Sequence, residues 1–233
     1  MLFDDIVAIL SSAELMGYVW QGFLHTLIVT FVAAGIGLVL GFAVALVKIS
    51  ATQSRWMKIP GVICNLYTTV IRGTPVALQL FIMVFAVLAI PGFKPYAAIL
   101  TFGINSGAYV SENIRAGISS VDGGQMEAGR ALGLSWTRTM IKVILPQAVK
   151  NILPAIGNEL IALLKETSIL GMVGATVGTL TFDLNAASGT IFRTIPNYLA
   201  SGIVVGCFYL AVVYLMVFLI KLVEKRMKAS DQR

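Results

Sequence analysis

Two runs without a single Asp, Glu, Lys or Arg bracket this chain, residues 24–47 (24 residues) and 199–220 (22 residues). A helix rises 1.5 Å per residue, so either run crosses about 30 Å of hydrocarbon. Three shorter uncharged runs lie between them, 73–93, 95–111 and 167–182, of 21, 17 and 16 residues. The first extends back through Arg72 to about Pro60, and the second forward to about Ile118. The third must begin well upstream, near Ile152, if it is to cross. The pattern predicts an all-α integral membrane fold with five spans at about 23–47, 60–90, 95–118, 152–178 and 199–222. Ahead of the first span, Ile6, Val7, Ile9, Leu10, Leu15, Met16 and Val19 recur at roughly helical spacing. Residues 1–17 fit an amphipathic helix on the outer surface and a frayed polar lead-in equally well. No fixed-period repeat or long linker divides the chain, so residues 18–225 read as one domain, followed by a tail at 226–233.

The longest polar interruption, 119–150, carries its own helical punctuation. Asp122 can N-cap a short helix, with Gln125 at the capping-box position. Gly133 can close that helix in a left-handed C′ conformation, and Ser135 can cap a second helix that ends at Pro146. Two short helices meeting at a glycine make a bent, rigid knob. A passive connection has no use for both caps.

Composition agrees with a bilayer as solvent: 58% of residues are hydrophobic and 12% charged, and the mean hydropathy is +0.88. Soluble domains run nearer a quarter charged. The net charge of +6 is topological and implies no nucleic acid. Thirteen of the seventeen basic residues fall in 48–60, 115–150 and the C-terminal tail, against Lys94 and Arg193 on the other side, with Arg72 and Lys165 inside spans. The positive-inside rule then places the N-terminus outside, and the C-terminus and the 119–150 loop in the cytoplasm. Asp4 and Asp5 stand where a signal peptide carries Lys or Arg, so a cleaved leader is not expected. Cys64 and Cys207 both lie in apolar stretches, as packing residues without a metal-ligand cluster. The aromatics cluster near span ends, and His25 sits at the outer end of the first span as an interfacial residue.

The loop resembles the permease motif of type I ABC importers, in which Glu-Ala-Ala, three residues, Gly, nine residues, Ile, one residue and Leu-Pro follow in order. Glu127, Ala128, Gly133, Leu145 and Pro146 match at that spacing, with Gly129 for the second Ala and Val143 for Ile. Arg72-Gly73-Thr74-Pro75, the run from Ala108 to Ile118 and Leu164-Lys165-Glu166-Thr167-Ser168 resemble the polar amino-acid branch of that family. The resemblance covers roughly residues 18–225. It implies a five-helix permease of the bacterial cytoplasmic membrane, working with a second permease copy or relative, two ABC ATPase subunits and an extracytoplasmic substrate-binding protein. In the family the loop is a coupling helix docked on the ATPase, which assigns coupling here to Glu127, Ala128, Gly129, Ala131 and Gly133. The chain has no GxxxxGK[ST] phosphate loop, so no cofactor is expected on it, and ATP and Mg belong to the partner ATPases.

Charges inside a span cost about 2.5–3.5 kcal/mol on insertion scales and are expected to face the bundle or a cavity. Pro154 reads as the start of a helix, which puts Lys165 and Glu166 roughly 17 Å in, near the midplane. Neighbours on a helix point about 100° apart, so these two cannot pair along one face, and Glu159 is poorly placed for Lys165. Arg72 comes at similar depth, just before Gly73-Thr74-Pro75, a helix-breaking sequence of the kind that marks transporter sites. An amino acid needs a cation for its carboxylate and an anion for its ammonium. Arg72 with Glu166 or Glu112 supplies both, and Asn105, Asn158, Lys165, Thr167 and Ser168 complete the candidate substrate contacts, with Gln79 a further neutral partner. Pairing between helices or subunits, with no substrate contact, accounts for the same charges equally well. A secondary carrier or channel explains the buried charges but not the capped loop. An intramembrane enzyme using Glu112, Glu159 or Glu166 with His25 lacks a nucleophile or metal constellation.

Overall fold

The computed structural model describes residues 1–229, all helical or in connecting turns among the described residues. Residues 230–233 of the expected tail lie outside the described residues; 226–229 continue the last helix rather than forming a separate segment. A short α1 (Leu2–Ser11) is followed by α2 (Ala13–Gln53), 41 residues long and about 62 Å at the α-helical rise. Ser12 separates them, its hydroxyl accepting from the Leu15 N–H at 3.3 Å. The amphipathic reading of the N-terminus holds for α1. Ile9 is fully buried in a cluster with Leu15, Val19, Leu184, Ile191 and Ala200, and Asn197 donates to Asp5 at 2.6 Å. Leu15, Met16 and Val19 already belong to the long helix.

The second predicted span is broken. After a short turn at Arg55–Met57, α3 (Lys58–Gly73) and α4 (Val76–Ile82, continued by a wide turn to Val87) meet at 106°. The break is written in the sequence. Thr74 is extended (φ −121°, ψ 145°), as a residue before proline must be, and Pro75 has no N–H for the Ile71 carbonyl. The Gln79 amide takes over, donating to Ile71 O at 2.7 Å, Thr74 O at 3.1 Å and Thr74 Oγ1 at 2.8 Å. The Thr74 hydroxyl in turn covers the Val70 carbonyl at 2.9 Å.

Next, α5 (Lys94–Ser119) packs along α2 through two interlocked glycine pairs. A Cβ on Gly41 would lie 2.6 Å from Val110 Cγ1, one on Gly37 2.8 Å from Ser106 Cβ, and one on Gly103 2.7 Å from Ile36. Small residues four apart let two apolar helices approach backbone to backbone, where dispersion rather than hydrophobicity holds them in lipid.

The polar segment then supplies α6 (Gly123–Ala131) and the single turn α7 (Trp136–Thr139). Contrary to the expectation from the sequence, this second helix does not end at Pro146, and Pro154 does not begin one. The chain widens by one residue at Met140–Ile144 and runs on as α8 (Leu145–Glu166), with Pro146 in its first turn and Pro154 inside it. The wide turn shifts the hydrogen-bond register so that a missing proline N–H is absorbed rather than ending the helix. The helix that carries the fourth predicted span therefore starts upstream of 152, and after Glu166 it tightens into a 3-10 turn, Thr167–Val173, closed by Gly174 at φ +104°. Lys165 and Glu166 accordingly lie in the last turn of α8, twenty residues beyond Leu145, and not near the middle of a helix begun at Pro154.

The outer connection folds as α9 (Leu184–Thr194), N-capped by Asp183 onto Ala186 N at 2.7 Å. It is tied to the first span by His25, whose ring donates to Phe182 O at 3.1 Å, and by Leu184 N–H to the Thr26 hydroxyl at 3.0 Å. Finally α10 (Tyr198–Ala229) crosses α8 where Gly157 meets Ile220. Among the described residues, only α2 and α10 are single helices long and apolar enough to cross a membrane, and the bent α3–α4 pair makes a third if it counts as one span. The helices α5 and α8 carry polar and charged residues along their length and are less apolar. Both cysteines are free thiols.

Candidate functional site

The caps of the 122–139 knob form as their punctuation predicts, save the capping box. Asp122 caps α6 through Gly124 N–H at 3.0 Å rather than through a reciprocal box with Gln125. At the other end the Gly133 N–H reaches Arg130 O at 2.9 Å and the Leu134 N–H reaches Gly129 O at 3.1 Å, a Schellman closure that needs the left-handed φ of +79° at Gly133. Ser135 caps α7 on the Arg138 N–H at 3.4 Å, while Thr139 bonds back to Ser135 O at 3.1 Å. Glu127, Ala128, Ala131 and Gly133 are exposed, and Leu132 projects at 82% exposure. Gly129 differs from the rest. It is buried against Thr139, so its missing side chain lets α6 rest on α7, and its part is internal to the knob.

The residues expected to meet a substrate separate into two groups. Three are committed to holding the protein together. Asn105, 2% exposed, donates to Gln79 Oε1 at 3.0 Å and so braces the broken helix. Thr167 is buried, its hydroxyl donating to Leu164 O at 2.7 Å. Glu112 is the centre of an ion cluster: Oε1 accepts from Lys48 Nζ at 2.5 Å, and Oε2 accepts from Arg115 Nε at 2.9 Å, with Arg115 Nη2 in ion-pair contact at 2.9 Å. Lys48 is almost fully buried and also donates to Thr68 Oγ1 at 2.6 Å. Glu112 is thus engaged within the chain by Lys48 and Arg115.

The second group stays open. Arg72 lies 4.0 Å from Glu112 Oε2, beyond hydrogen-bond reach, and its guanidinium sits over the Tyr109 ring at 5.2 Å. Asn158 and Lys165 are exposed, and Glu166 and Ser168 are half-buried. Neither Lys165 nor Glu166 has an ion pair among the described residues. Glu159, half-buried on α8, lies in the electrostatic neighbourhood of both Arg72 and Glu166.

Sequence reasoning missed Lys48 and Arg115, which it placed in cytoplasmic loops. The available signal was the lack of any helix breaker between Val47 and Gln53, which carries α2 past Lys48. It also missed the bracing role of Gln79, which the four-residue offset from Pro75 could have suggested. No group of three or more His, Cys, Asp or Glu could hold a metal among the described residues.

A helical bundle with a broken second span, a buried ion cluster and an exposed capped knob is the architecture of a membrane-transport subunit. Residues 37–229 match the model of the binding-protein-dependent transport system inner membrane components, and the chain belongs to that family. It is 40% identical over 219 residues to the arginine transport system permease protein ArtQ of Bacillus subtilis (strain 168), covering 92% of this chain and 94% of that protein. It is 38% identical to the putative glutamine transport system permease protein GlnP of Rickettsia bellii, covering 91% and 94%. Among solved structures, an amino acid ABC transporter crystallised with histidines superposes with a TM-score of 0.83 at 36% identity, covering 94% of this chain and 98% of the other. The MetNI methionine ABC transporter superposes at 0.76 and 22% identity, a likeness of fold alone. The fold is that of the type I ABC importer permeases.

Proposed function

We propose that this chain is the permease of an ATP-driven amino-acid importer of the bacterial cytoplasmic membrane. It forms half of the pathway with a second permease and takes energy from two ABC ATPases through the Glu127 knob. An extracytoplasmic binding protein delivers cargo near Lys94–Tyr96 and the Asp183–α9 corner. The observation that carries this reading is the doubly capped, solvent-facing α6–α7 knob on a chain with no nucleotide-binding loop of its own. Five crossings, with the N-terminus outside and the C-terminus inside, fit the charge distribution: the broken α3–α4 pair counts as one, and α5 and α8 cross under cover of their neighbours. Relatives named for arginine and for glutamine support a polar amino acid as cargo.

In the pathway, Arg72 receives the cargo's carboxylate, while Glu159 and Glu166 on α8 offer anions for its ammonium. Asn158, Lys165 and Ser168 border the same pathway. Purification tests the assignment: the tagged chain brings an ATPase with it, and vesicles holding the complex take up an amino acid only with ATP. Glu127→Lys leaves the bundle folded but abolishes ATP-dependent uptake. Normal uptake in that variant refutes the coupling role. Arg72→Ala and Glu166→Ala abolish uptake with assembly intact, and wild-type affinity in both leaves only an ion-pairing role for these charges.

A further inference from the structure

We infer that Arg115, together with Arg72, forms a carboxylate-recognising vestibule for the cargo, with Lys48 and Glu112 as its positioning residues. The inference rests on the transport reading above and adds to it a residue that the sequence had placed outside the spans. An open cavity of about 700 Å³ lies between the inner end of α2 (Lys48, Thr52), one face of α3 (Asn65, Thr68, Thr69, Arg72) and the inner end of α5 (Glu112, Arg115). Residues 65, 68, 69 and 72 share the i, i+3, i+4, i+7 stripe of a helix, so α3 turns a polar face to this cavity. Its other faces are apolar, with Val62, Leu66 and Val70 at 65%, 63% and 50% exposure.

Three cations surround one carboxylate here, an excess of two positive charges. Their donors are unequally used. Lys48 is spent on Glu112 and Thr68. Arg115 turns Nε and Nη2 to a single oxygen of Glu112. A guanidinium has five N–H groups, so three remain, on a side chain that is 52% exposed. Arg72, 43% exposed and stacked on Tyr109, makes no hydrogen bond to Glu112. Two oriented guanidiniums with free forks are the geometry that binds a carboxylate bidentately. The sole acid between them is consumed, which removes competition for the ligand and also leaves nothing here for an ammonium. Recognition at this site is therefore of the α-carboxylate alone, whatever the cargo's side chain.

The test uses the complete transporter in vesicles, with the twenty amino acids first screened to find the one taken up. Binding of that amino acid, and its displacement by the C-terminal amide, is then measured on the purified permease–ATPase complex without the binding protein, in wild type and in Arg115→Gln. The amide is expected to compete at least tenfold more weakly than the acid in wild type. Arg115→Gln is expected to weaken the acid at least tenfold while leaving the amide unchanged, so that the two converge. Arg115→Lys, which keeps the charge but loses the fork, falls between, and it carries the test if the glutamine variant fails to assemble. Equal weakening of acid and amide, or no change in either, overturns the vestibule and leaves Arg115 a structural partner of Glu112. A wild-type transporter that takes up none of the twenty overturns the transport reading itself.

Discussion

Charge bookkeeping around Glu112 yields an unequal pair of substitutions. Lys48 is 5% and Glu112 16% exposed at the side chain, so neither is screened as a surface pair would be. With Glu112 present, Lys48, Arg72 and Arg115 leave an excess of two positive charges. Glu112→Gln raises that excess to three, with a buried ammonium and no anion. Removing one partner of a buried pair in this way costs about 3–5 kcal/mol. Lys48→Met lowers the excess to one, keeps Glu112 paired with Arg115 and leaves an apolar stem in the same space. Its cost is mainly the hydrogen bond to Thr68 and some of the attraction to Glu112, about 1–2 kcal/mol. At roughly 2–4 °C per kcal/mol for a chain of this size, the melting temperature falls by about 6–20 °C in the first case and about 2–8 °C in the second. The double variant returns the excess to two and is expected to be more stable than Glu112→Gln alone, a coupling that neighbours in one network show. The assay is thermal unfolding of the purified transporter in detergent at fixed concentration. A Lys48→Met loss equal to or larger than that of Glu112→Gln, or strict additivity in the double variant, refutes the bookkeeping.

Gly129→Val, which would place a side chain into Thr139, is expected to unseat α6 from α7 and speed proteolysis of 120–146 in the isolated permease, whereas Ala128→Val at an exposed position leaves the knob protease-resistant and weakens only ATPase association. Gly133→Val forces a β-branched residue to φ +79° at a cost of about 1–2 kcal/mol, read as faster amide exchange at Leu134, whose N–H closes the helix. Gln79→Leu strips the break of its surrogate donor and leaves the Ile71 and Thr74 carbonyls unpaired, for about 1–3 kcal/mol of stability. An unchanged melting temperature there shows that the break is held by other contacts. Gly41→Leu separates α2 from α5 and lengthens the Lys48–Glu112 contact, so its stability loss exceeds that of Gly35→Leu, where a Cβ meets nothing within 4 Å.

Local chemistry was readable wherever a residue acts on its own backbone. Asp122, Gly133 and Ser135 cap because of what their side chains, or the lack of one, do within three residues, and the structure places all three as the spacing predicts. Thr74-Pro75 had to break a helix for the same reason. What local chemistry could not give was the size of the break, 106°, because the angle depends on Gln79 and Asn105 reaching across from other turns and another helix. Prolines misled in the other direction. Pro146 and Pro154 read as a stop and a start, yet a one-residue widening and the packing of α8 on α5 and α10 keep the helix continuous through both.

The sequence by itself determined the membrane class, the first and last spans and the capped knob, since apolar length and backbone capping are properties of consecutive residues. Only the tertiary structure decided which charges are spent and which remain free. Lys48, Glu112 and Arg115 come from helices whose register is set by the Gly37–Gly41 and Gly103–Gly107 crossings, and pairing between helices has no signature along the chain. Partner choice among charges is a matter of distances below about 4 Å. Those distances exist only once the helices have packed.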